Sequence, residues 1–163
     1  MRTLVLVMAT TLVVVCAATS RTLAAAQAQK DAPDPATRLV AMPAGDLKWA
    51  DLDPKGAPGV QYAALWGDHT KGAFGALFKL PAGFVAPLHT HTHDMRVVFL
   101  SGTYVQQPEG RPEFRLGPGG YMMQPGGNYR HITSCDKSAD CVFFVESDGA
   151  FDLMAVEGKA PQR

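Results

Sequence analysis

The chain predicts an all-β domain of the sandwich or barrel type. Short runs of β-branched and aromatic residues recur from position 38 to 146, clusters of Gly and Pro separate them, and no long segment carries the 3.6-residue apolar period of an amphipathic helix. A length of 163 residues and 47% hydrophobic content suffice for one core and fall short of two.

The expected strands run in order from Arg38–Met42 and Val60–Trp66 to Phe74–Leu80 and Val85–His91. Arg96–Leu100, Thr103–Gln107, Glu113–Leu116, Tyr121–Gln124, Tyr129–Thr133 and Cys141–Glu146 complete the series. Turn chemistry divides them: Asp53-Pro54-Lys55-Gly56, Pro81-Ala82-Gly83, Ser101-Gly102, Pro108-Glu109-Gly110, Pro118-Gly119-Gly120 and Asp148-Gly149. Phe74–Leu80 and Val97–Leu100 are apolar on both parities, so one face lines the interior and a neighbour covers the other, for which a homodimer is one solution. Pro87 lacks a ladder donor, which puts it at a strand entrance, an edge or a bulge.

Residues 1–28 read as a secretory signal peptide. Arg2 precedes an apolar run from Leu4 to Ala18, too short to span a bilayer, and A-x-A-like sites follow near Ala24 to Ala28. The expected organisation is therefore signal peptide 1–28, linker 29–37, β-domain 38–155 and C-terminal tail 156–163, in a periplasmic or secreted protein with no stable membrane insertion after cleavage. Export into an oxidising compartment makes Cys135 and Cys141 disulfide partners across a short polar loop, the alternative being two reduced thiols flanking that loop. Fifteen basic and fifteen acidic residues, with no Lys/Arg-rich block, give no footprint for nucleic acid or an anionic membrane.

Four of the five histidines form one pattern. His89, His91 and His93 alternate with threonines, so in an extended strand they share a face. His131 follows the Pro125-Gly126-Gly127 turn. Imidazole is the commonest ligand of first-row transition metals, and two segments that supply several point to a metal site.

Gly83, five residues, His89-x-His91, three residues, position 95, six residues and Gly102 resemble the first motif of the cupin superfamily. Gly119 to His131, with Pro125-x-Gly127, resembles the second, with its histidine one residue later than in the commonest spacing. The region 38–155 is similar to a family of exported bacterial single-domain cupins. The resemblance implies a jelly-roll β-barrel whose metal is held by His89, His91 and His131. It departs at Met95, where the first motif carries glutamate. A thioether is a poor ligand for Fe, Mn or Ni, so Met95 is expected to pack, and His93 becomes the candidate fourth ligand. Asp94 could stand in for the carboxylate only if the strand bulges there.

The expected cofactor is one divalent transition metal, Fe, Zn, Mn or Ni. Tyr129 and Gln124 are candidates for catalysis or ligand positioning, while Arg96 and Arg130 have outward parity and His69 falls in a turn. The resulting expectation is a metal-dependent, dioxygenase-like enzyme for a small chelating or enolisable substrate. The alternative is a non-catalytic ligand- or metal-binding cupin of the cell envelope.

Overall fold

The computed structural model describes residues 39–156. The expected signal peptide and linker, and all but the first residue of the expected tail, lie outside the described residues. Compactness divides the chain at Met42/Pro43, and the second unit carries every element below.

After a 3-10 turn at Ala44–Asp46 come eleven strands: β1 Trp49–Asp53, β2 Ala57–Gly67, β3 Phe74–Leu80, β4 Val85–Thr90, β5 Met95–Ser101, β6 Tyr104–Pro108, β7 Phe114–Leu116, β8 Tyr121–Gln124, β9 His131–Cys135, β10 Cys141–Ser147 and β11 Met154–Ala155. They form a six-stranded sheet in the order β1-β2-β3-β10-β5-β8 and a five-stranded sheet in the order β11-β4-β9-β6-β7, with antiparallel pairing throughout. The crossing of consecutive strands between the two sheets is the jelly-roll arrangement.

Two expectations fail at the ends. Leu39–Met42 form no strand; the first is β1, whose Trp49 lies beneath the Lys79 ammonium at 4.9 Å, a cation–π contact on the outer face of β3. The short β11 carries no apolar period and exists because it pairs with β4, Met154 opposite Thr90 and Ala155 opposite His89.

Period-2 alternation sets the core. Met95, Val97 and Phe99 of β5 point inward with Phe143 and Val145 of β10 and with Phe74, Ala76 and Phe78 of β3, and they meet Tyr104 and Cys135 of the second sheet. Cys135 and Cys141 are joined in a disulfide, which ties the end of β9 to the start of β10. On the opposite parity of the large sheet Leu77, Phe144, Val98 and Tyr121 lie in one apolar cross-strand row, with Tyr121 59% exposed.

Candidate metal centre

The histidine strand owes its geometry to a bulge. Ala86 faces Thr133 and His89 faces His131, so three steps along β4 match two along β9. The extra residue falls at Pro87–Leu88, where Pro87 has no N–H to lose, and it reverses parity so that His89 joins Ala86 on the interior side. His91 keeps that side one step beyond the strand.

His131 opens β9 directly opposite His89 because the Pro125–Arg130 turn folds onto the Thr92–Asp94 bend. Gly127 N–H donates to the Thr92 carbonyl and Gly126 N–H to the Asp94 carboxylate at 2.7 Å. A Cβ on Gly126 would come 2.5 Å from the Thr92 oxygen, so the approach of the two motifs requires glycine.

His89, His91 and His131 are each buried, and their ligand atoms lie within 4.8 Å of one another. Ring centroids are 4.2 Å apart for His89–His131, 4.9 Å for His89–His91 and 5.3 Å for His91–His131. Each Nδ1–H donates to a main-chain carbonyl: His89 to Pro87 at 2.6 Å, His131 to Tyr129 at 3.1 Å, and His91 to Asp152. That assignment fixes the tautomer and leaves every Nε2 with its lone pair. The His131 Nε2 is buried with no hydrogen-bond partner, as expected of a nitrogen whose partner is an ion. Burial is the main cause that lowers all three basicities, with His91 at about 4 and His131 at about 3; repulsion from neighbouring imidazoles adds to both. The rings are neutral at physiological pH, the state a metal requires. Three neutral nitrogen donors suit a divalent first-row ion.

The remaining candidates divide clearly. His93 is exposed in the bend after β4, packed over Gly149, and stands outside the cluster; the chain leaves the extended conformation at Thr92, so alternation does not carry to position 93. The Asp94 carboxylate is engaged by Gly126, leaving no carboxylate among the three ligand candidates. Met95 is buried and lines the cavity as packing. Tyr129 stacks on His131 at 5.2 Å and supplies the carbonyl that orients it, but its ring does not line the cavity. Gln124 does line it and is 2% exposed. Arg96 and Arg130 pair at the surface with Asp148 and Glu109.

The cavity beside the imidazoles measures about 630 Å³. Val60, Phe78, Leu80, Phe84, Phe143 and Phe151 supply much of its wall. His69 also lines it, its carbonyl holding the Phe151 N–H at 2.7 Å, so this turn histidine is part of the cavity wall. Sequence reasoning missed the segment that closes the site. Phe151 packs 5.4 Å from the His91 ring, while the Asp152 carboxylate accepts from the Thr92 N–H at 2.8 Å and from its hydroxyl. The one sequence signal there was the Asp148-Gly149 turn followed by an aromatic residue and an acid.

Residues 19–154 match the family described as "Domain of unknown function (DUF4437)". The chain belongs to that family. No curated protein matches this DUF4437 chain. Its fold is the cupin fold, shared with the polyketide cyclase RemF from Streptomyces resistomycificus at a TM-score of 0.62 and 19% identity, over 74% of this chain and 87% of that one. An RmlC-like cupin protein from Ralstonia eutropha JMP134 matches at a TM-score of 0.54 and 20% identity, over 69% of each chain. The DMSP lyase DddQ from Ruegeria pomeroyi DSS-3 matches at a TM-score of 0.52 and 21% identity, over 76% of this chain and 71% of that one.

Proposed function

We propose that this DUF4437 chain is an exported metal-dependent enzyme, dioxygenase-like in its chemistry, that acts on a small chelating or enolisable substrate. One observation carries the reading: the buried neutral imidazoles of His89, His91 and His131 converge from two segments with their Nδ1 atoms held by main-chain carbonyls, and His89 and His91 line a cavity of ligand size. His89, His91 and His131 would hold the ion. A divalent ion, Fe, Zn, Mn or Ni, would supply a Lewis acid that favours an ionised enol or phenol and, when redox-active, a path for electrons from the substrate to O₂. The chain's own part is to fix the three rings through main-chain carbonyls and to surround the substrate with apolar walls that exclude water. Tyr104 at the inner wall stays a neutral phenol, because burial pushes its hydroxyl well up.

Export follows from the signal peptide read at 1–28, with linker 29–37, barrel domain 38–155 and tail 156–163. A homodimer would cover the apolar row from Leu77 to Tyr121. The partner class is a small molecule, not nucleic acid or a membrane.

The test is metal analysis of protein from its native compartment, joined to O₂-uptake assays across small dicarbonyls, phenols and thiols. Turnover that follows metal content and vanishes in His91→Ala supports the proposal. Metal-replete protein that consumes no O₂ with any of them refutes the dioxygenase-like reading. Met95, in place of a carboxylate, favours the second reading, a non-catalytic ligand- or metal-binding cupin, which would hold metal and turn over none of these compounds.

A further inference from the structure

The inner wall of the cavity carries a polar group that the metal chemistry does not use. Gln106 is fully buried, its Nε2–H donates to the Gln124 Oε1 at 3.1 Å, and its own Oε1 faces the Tyr104 hydroxyl at 2.8 Å and the Thr133 hydroxyl at 3.2 Å. Tyr104 and Thr133 also contact one another at 3.0 Å, so two hydroxyl hydrogens serve three contacts and none is left over. The network fixes the direction of the Gln124 amide, since turning it over would set one NH₂ against another. Its Nε2 is therefore a donor aimed away from the network, buried and without a partner. A buried donor left unmatched is costly, and Gln124 lies on the wall of a ligand-sized cavity, so an oxygen of a ligand seated there is the acceptor this amide lacks.

The rest of the lining narrows what brings that acceptor. It contains no lysine or arginine; the charged side chains on it are the carboxylates Asp53 and Asp152. Beyond the ion that the three imidazoles would hold, the further charges of a phosphate, sulfonate or polycarboxylate would find no cationic partner. Aromatic and branched aliphatic side chains make up most of the wall, and the volume of about 630 Å³ accommodates a fused or linked pair of rings.

We propose that the Gln124 amide is the specificity-determining donor of a site for an uncharged aromatic ligand, whose carbonyl or hydroxyl oxygen it binds while the ring body fills the apolar cavity. This rests on the reading of the cavity as a substrate site.

The test uses the zinc-loaded protein, with zinc content measured for every variant, and 3-hydroxyflavone as a fluorescent probe of the proposed class. Saturable binding is expected, weakened about tenfold in Gln124→Leu with zinc content unchanged. Gln124→Met, of similar volume, repeats the measurement if the leucine variant fails to fold. Equal affinity in wild type and variant, with zinc bound in both, would overturn the role of the amide and mean that it serves bound water. No saturable binding would overturn the ligand class. Loss of zinc from the wild type would instead strike at the metal centre.

Discussion

Acid should destabilise the metal-free protein well before its carboxylates titrate. His91 and His131 are neutral in the fold down to about 4 and about 3, whereas an unfolded histidine takes its proton near 6.5. Their stabilising contribution is whole above pH 6.5 and is lost as pH falls through 6.5 toward the folded values, because in that window only the unfolded chain gains protons. Between pH 8 and pH 5 each ring costs about 2 kcal/mol, being 1.5 pH units at 1.36 kcal/mol per unit, and the pair about 4 kcal/mol. His89 and His69, also lowered chiefly by burial, add to the same slope. Against a total of roughly 5–15 kcal/mol for a domain this loss is large. Urea unfolding of chelator-treated protein at pH 8, 7, 6 and 5 measures it, and His91→Gln with His131→Gln should remove about 4 kcal/mol of the difference. Equal stability at pH 8 and pH 5, or an undiminished slope in the double variant, would show that these imidazoles are not buried as described.

Four smaller perturbations probe the scaffold and the site. Replacing both cysteines with serine removes a short closed loop and should lower stability by about 2 kcal/mol on the chain-entropy estimate, read as a shift in the urea midpoint against the oxidised wild type, with the reduced wild type matching the variant. Gly126→Ala should cost about 1–3 kcal/mol, since its methyl meets the Thr92 oxygen, and should lower zinc affinity as well; a variant with wild-type thermal stability and zinc binding would deny the close approach of the two turns. Asp152→Ala removes both bonds to Thr92 and should weaken zinc binding by about 10–100-fold through a looser His91, whereas His93→Ala should leave zinc stoichiometry at the wild-type value.

The fold was legible where turn residues bracketed an apolar run. Phe74–Leu80 and Tyr121–Gln124 run as strands between the residues that turn chemistry marked, because Gly and Pro bound them on both sides. The convergence of His89 and His91 with His131 was legible through motif spacing alone. Its cause was not, since nothing local in Ala86-Pro87-Leu88 reveals that the bulge sets His89 inward rather than Leu88. The same limit explains His93: parity arguments hold only while the chain stays extended, and the bend at Thr92 is fixed by Asp152, sixty residues away in sequence. Gln106 reads from sequence as one polar residue in a strand, and its role depends on three partners from three other positions in the fold.

The ligand set and the cavity constrain each other. A carboxylate ligand would cancel one unit of a bound ion's charge; here the first motif supplies Met95 and the nearby Asp94 is turned onto Gly126, so three neutral rings would leave a divalent ion its full charge beside a largely apolar chamber. A charge in such surroundings is costly until an anionic oxygen meets it. The site should therefore draw a proton from a bound enol or phenol more strongly than a site with a carboxylate ligand would, while the apolar wall selects a ligand that arrives uncharged. A ligand that becomes anionic only after it has bound satisfies both demands, and the main-chain carbonyls behind the three rings give the arrangement its rigidity without adding a charge of their own.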